Sequence, residues 1–140
     1  MKDKLFKRAA FLGLFIFTVN LLAMKFFWYY SIWWFDMPMH FLGGIFIGLL
    51  SLSVYMSYFI KEETVLTLGK IFWIAFISAL IVGVAWELFE FSLDTFITFK
   101  VHYLPDTLSD LCFDMTGAMT AALYYLYFGR KFNLNINFLL

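Results

Sequence analysis

Four apolar runs dominate this chain and limit what it can fold into. They cover roughly residues 7–27, 37–60, 71–97 and 107–128. A helix rises 1.5 Å per residue, so about 20 residues cross the roughly 30 Å of bilayer hydrocarbon. None of the runs shows strand alternation or turn-rich segmentation, which argues against a membrane barrel. Composition agrees: 64% of the 140 residues are hydrophobic and 14% are charged. A soluble domain is about half apolar and about a quarter charged. A chain this small has too much surface to hide the excess in its core. The expected fold is therefore all-α: one domain over residues 1–140, an integral membrane bundle of four transmembrane helices.

The start, MKDKLFKR, resembles the basic region of a signal peptide. No small-x-small cleavage site follows, so the first run is expected to stay as a helix. The single Cys112 cannot form an internal disulfide. No strongly basic surface is present, which excludes a nucleic-acid partner.

The charges set an orientation. Lys2, Lys4, Lys7 and Arg8 precede the first span, Lys61 and Lys70 flank the loop between the second and third, and Arg130 and Lys131 follow the fourth. With four spans these segments share one side, and the positive-inside rule makes it the cytoplasm, N- and C-termini included. The acids are distributed the other way. Asp36, Glu87, Glu90, Asp94, Asp106, Asp110 and Asp114 all fall in the outer loops or outer halves of spans, as do His40 and His102.

On a helix of about 100° per residue, Glu87, Glu90 and Asp94 share an arc of roughly 60°, and Asp106, Asp110 and Asp114 one of about 80°. Asp36 and His40 lie about 40° apart. Ionisable groups in a membrane face the bundle interior or a water-filled cavity. Turning the three stripes inward gives one acidic pocket open to the outside. Gly44-x-x-x-Gly48, Ala79-x-x-x-Gly83 and Gly117-x-x-x-Ala121 supply small-residue pairs for close helix packing.

Crowded carboxylates in a low dielectric need a basic partner, shared protons or a cation. The outer halves of the second, third and fourth spans contain no Lys or Arg. Glu87, Glu90, Asp110 and Asp114 form the expected metal-ligand set. Their oxygens suit Mg²⁺, Mn²⁺ or Ca²⁺, and His40 would also permit Zn²⁺. His40, oriented by Asp36, is the expected acid/base group. Asp106 follows Pro105 and reads as an N-cap. Cys112 reads as a packing residue, and His102 as an exposed loop residue. The run FFWYYSIWWFD, from Phe26 to Asp36, reads as an interfacial aromatic belt.

Three blocks resemble a known family. Asp36-Met-Pro-Met-His40-Phe is similar to the D-x-x-x-H-F signature of VanZ-like membrane proteins. Glu87-Leu-Phe-Glu90 resembles their E-x-x-Q, with Glu for Gln. Asp110-Leu-Cys-Phe-Asp114-Met-Thr-Gly117-Ala118 resembles D-x-x-x-N-x-x-G-A, with Asp for Asn. The same blocks resemble YjdF-type inner-membrane proteins. The resemblance implies a polytopic envelope protein of the cell membrane with a site at these residues, and names no reaction. The expected function is metal-assisted hydrolysis or transfer on a lipid or cell-envelope precursor at the outer leaflet, with membrane lipids as partners. A non-catalytic lipid- or antibiotic-binding protein and a proton- or cation-coupled transporter are the alternatives. The oligomeric state, a homo-oligomer included, is left open.

Overall fold

In a computed structural model of the chain, residues 2–59, 66–93 and 104–133 are described. They form five helices: α1 (Lys2–Phe26), α2 (Trp28–Ser31), α3 (Asp36–Tyr58), α4 (Leu68–Leu93) and α5 (Leu104–Asn133). No strand occurs among the described residues. Asp94 and His102, and with them Lys61 and the residues around Ile97, lie outside the described residues.

Local sequence explains the helix ends. α1 carries Asp3 in its first turn and Lys25 in its last, each complementing the helix dipole. Asp36 opens α3, and Pro38 sits in its first turn, where a missing N–H costs no intrahelical bond. α5 starts at Leu104, earlier than the Asp106 cap required. Asp106 lies inside the first turn, where it faces the positive end of the dipole and does not act as the N-cap. Between α1 and α2 the chain breaks at Phe27, whose φ of 58° is left-handed. This is uncommon for a bulky side chain, and it folds the short α2 back over the end of α1.

Named contacts give the packing order. Gly44 of α3 meets Asp114 and Gly117 of α5, and Gly48 one turn on meets Ala118 and Ala121, so these two helices run parallel. Gly13 of α1 meets Phe46, while Ala23 packs with Phe35 and Met39, so α1 runs against α3. Gly83 of α4 meets Leu111 and Asp114, while Ala75 and Ile71 pack with Ala122 and Tyr125 further along, so α4 runs against α5. α3 is the central helix: α1, α4 and α5 all pack on it, and α4 also packs on α5.

The α3–α5 seam is the tightest. A Cβ at Gly44 would collide with the Asp114 backbone carbonyl, and one at Gly117 with the Phe41 carbonyl. A Cβ at Gly48 would come within 2.7 Å of Ala121 Cβ. Here glycine is required for closeness of backbones, the use small residues have in membrane helices. Below this seam lies the main apolar core, built from Leu49, Leu52, Met56, Ile71, Ala75, Ala79, Ala118, Ala121 and Ala122.

The outside of the bundle is hydrocarbon-like. Phe11 is 74% exposed and Trp73 64%, and most large apolar residues of α1 face outward. Three helices, Asp3–Phe26, Asp36–Tyr58 and Leu68–Leu93, are long and apolar enough to cross a membrane. α5 has 30 residues, about 45 Å of helix, but is less apolar because it carries Asp106, Asp110, Asp114 and several tyrosines. Patches of this size and character belong in lipid. The molecule is a multi-pass membrane protein.

Candidate functional site

Two helix N-termini and two C-termini meet at one end of the bundle. α3 and α5 begin there, while α1 and α4 end there. His40 is one turn into α3, Asp110 and Asp114 are in the second and third turns of α5, and Glu87 is six residues before the end of α4. That places Glu87 about 9 Å from Leu93 along the helix, and Asp114 about 15 Å from Leu104. His40, Glu87, Asp110 and Asp114 are all buried, and Asp36 and Glu90 are partly so.

His40 is the hub. Its Nδ1 lies 3.4 Å from Asp114 Oδ2, across the α3–α5 seam. Its Nε2 lies 3.6 Å from Asp36 Oδ1, one turn back on its own helix. The closeness of the helices explains the first contact: with no side chain at Gly44 and Gly117, α5 comes near enough for Asp114 to reach the ring. Gly83 makes room from the other side, since a Cβ there would stand 2.6 Å from Asp114 Oδ2.

Two groups converge closely enough to share an ion: Asp36, His40 and Asp110, and His40, Glu87 and Glu90. The potential ligand atoms within each lie within 4.8 Å of one another. Two atoms at that limit can hold an ion about 2.4 Å from each, inside the roughly 2.3–2.6 Å range of oxygen ligands to calcium. Both groups include His40, which the sequence reading had kept for acid/base work. The four carboxylates read there as one ligand set, Glu87, Glu90, Asp110 and Asp114, do not form a convergent group among the described residues. Asp114 faces the His40 ring.

A cavity of about 640 Å³ opens beside this cluster, between α1, α3 and α4. Asp36, His40, Glu90 and Asp114 border it at one end, joined by Asn20 and Tyr29. Asn20 accepts a 2.8 Å hydrogen bond from the Tyr29 hydroxyl. Partial burial, and then the negative charges of Asp36 and Glu90, push the Tyr29 hydroxyl up to about 12. It therefore stays a donor at the edge of the acidic cluster. Tyr29 belongs to the aromatic run noted in the sequence, whereas Asn20 was not anticipated from it. A lone Asn in the apolar α1 was the available signal, because polar groups in hydrocarbon need a partner.

Other sequence expectations fall outside the cluster. Asp106 is exposed. Cys112 is exposed and does not pack in the core. Trp33, 83% exposed, and Tyr30, 77% exposed, project from the α2 region as an aromatic rim. Asp94 and His102 cannot be placed, lying outside the described residues.

Helical spans, an apolar exterior and buried ionisable groups gathered at one end define a polytopic membrane protein with a polar cluster at one end of its bundle. The chain belongs to the family described as predicted membrane protein (DUF2238), whose model matches residues 4–131. No curated protein and no solved structure matches the chain.

Proposed function

We propose that the His40 cluster binds a divalent cation and uses it to cleave or transfer a phosphoryl or acyl ester of a lipid or cell-envelope precursor at the outer leaflet. The observation that carries this reading is the pair of convergent groups sharing the buried His40. Buried carboxylates in hydrocarbon are costly without positive charge nearby. Among the described residues, His40 is the one side chain bordering the cavity that can carry positive charge.

The residue roles follow from the contacts. If His40 donates Nδ1–H to Asp114, its Nε2 lone pair is left for an ion, with Asp36 and Asp110 or Glu87 and Glu90 completing the ligands. A carboxylate holding the far nitrogen of a ligating histidine fixes the ring and strengthens it as a ligand. The ion would polarise the ester oxygen and lower the pKa of a bound water. A carboxylate of the set outside the coordination sphere takes the water proton and returns it to the leaving oxygen. His40 is thus assigned to the ion in this reading, with Asp114 as its positioning residue.

Orientation belongs to the same proposal. α5 is taken as the fourth span, the basic ends of α1 and α5 as cytoplasmic and the polar end as external. Resemblance of the three blocks to VanZ-like and YjdF-type proteins supports an envelope role. Transport is less well supported: away from the cluster the bundle is filled mainly by Leu49, Leu52, Met56 and Ile71, with Ser53 as a buried polar side chain among them.

The test is turnover. Purified protein in vesicles of bacterial lipid extract, supplied with Mn²⁺ or Mg²⁺, should release phosphate, fatty acid or a phosphorylated headgroup. Release should fall at least about a hundredfold in His40→Ala and Glu87→Gln. Turnover indifferent to both substitutions and to EDTA would overturn the proposal.

A further inference from the structure

The cavity beside the cluster has an order that the metal chemistry does not require. Three of the helices that line it, α1, α3 and α4, change character in the same direction. On α1 the lining runs from Ala10 and Gly13 to Asn20. On α3 it runs from Ile47 and Phe46 to His40 and Asp36, and on α4 from Ala79 and Val82 to Glu90. Each path covers ten or eleven residues, about 15–16 Å of helix. The groove is therefore apolar at one end and acidic at the other, with its long axis along the bundle and so along the bilayer normal. Its volume of about 640 Å³ lies within the roughly 300–1,000 Å³ of small-molecule sites.

Its walls leave a side open. α1 and α4 each pack on α3, and no comparable interface joins α1 to α4 among the described residues. A groove open on its long side, in a helix bundle that spans a membrane, faces hydrocarbon. The lining also selects the head end. Asp36, Glu90 and Asp114 are there with His40, and among the described residues neither Lys nor Arg lines the cavity. An anionic headgroup is accepted only together with a cation.

We infer that this groove binds a single-chain phosphate amphiphile, admitted sideways from the bilayer between α1 and α4. Its hydrocarbon chain lies against Gly13, Phe46 and Val82, and its phosphate meets the His40 cluster through a divalent ion. This rests on the cation reading for the headgroup, while the chain site rests on the groove alone. Gly13 shapes the wall: a Cβ there would stand 2.8 Å from the Phe46 ring, which would have to shift.

The probe is hexadecyl phosphate with a diazirine near its methyl end, irradiated with the full-length protein in phosphatidylcholine vesicles containing Mn²⁺. Label is expected on the peptides around Ala10–Gly13 and Ala79–Val82, displaced by unlabelled hexadecyl phosphate but not by glycerol phosphate. Val82→Trp and Ala10→Phe, which fill the groove without touching a carboxylate, should each lower groove labelling about tenfold and leave bound manganese unchanged. Label spread evenly over outward residues such as Phe11 and Leu14 would overturn the inference, as would groove labelling indifferent to both substitutions. So would a protomer–protomer disulfide formed by Val82→Cys in a Cys112→Ser background, which would put a second copy in the groove. The two readings fail separately. Groove labelling that persists without bound metal would sustain the chain site and overturn the cation reading, and bound metal without groove labelling would do the reverse.

Discussion

At Gly44 the distance between two helices is decided by one missing methyl group. A Cβ there meets backbone, which cannot swing aside as the tip of a side chain can. Overpacking of this kind costs about 1–3 kcal/mol. Gly44→Ala should therefore lower the thermal unfolding midpoint in detergent by several degrees and separate Asp114 from His40. Gly69→Ala is the control. Nothing lies within 4 Å of a Cβ at Gly69, and alanine is favoured over glycine in a helix by up to about 1 kcal/mol. Its midpoint should hold or rise. Tyr29 offers a second residue-level check. With its hydroxyl pushed up to about 12, it remains neutral through the range in which an ordinary tyrosine titrates, near pH 10. The ultraviolet tyrosinate signal of Tyr29→Phe should therefore match that of the native protein up to about pH 11 and differ only above it. A difference centred at pH 10 would mean that Tyr29 stands free of Asp36 and Glu90.

Among the elements, α3, α4 and α5 were legible from spacing, because the i, i+3 and i, i+4 intervals put each polar stripe on one face. Asp36, His40, Glu87, Glu90, Asp110 and Asp114 carried that signal, and they do meet at one end. Their partnerships were not legible. Which carboxylate faces which ring nitrogen depends on helix rotation and separation, which Gly44, Gly83 and Gly117 set at contacts between segments far apart in sequence. The part played by α1 was hidden as well, since one Asn in an apolar run resembles a tolerated polar residue. α2 was concealed within the aromatic belt, where hydropathy does not distinguish a loop from one helical turn. α5 raises the sharpest question at this scale, because its site residues reduce the apolarity that marks a span. Single cysteines in a Cys112→Ser background answer it. Leu104→Cys and Trp33→Cys should react with a membrane-impermeant maleimide on intact cells, whereas Lys4→Cys should react only after lysis. Lys131→Cys, at the far end of α5, should also react only after lysis, and its labelling on intact cells together with Leu104→Cys would remove α5 from the spans.

The whole molecule divides into an apolar half and a polar half. One end is closed by Leu52, Met56, Ile71 and Tyr125, with Arg8 of α1 donating to the Tyr124 hydroxyl of α5. The other end collects buried acids around His40 and opens into a groove that runs along the bundle. This polarity favours work at one leaflet over passage through both. The proposed chemistry requires a cation at the acidic end, and that can be measured without knowing any substrate. Elemental analysis of detergent-purified protein after dialysis against micromolar divalent ions should find about one metal ion per chain. The ion should be lost in His40→Ala and in Glu87→Gln, and retained in Val82→Trp. A wild-type protein that binds no divalent ion in any of these buffers, or variants that keep theirs, would contradict the account.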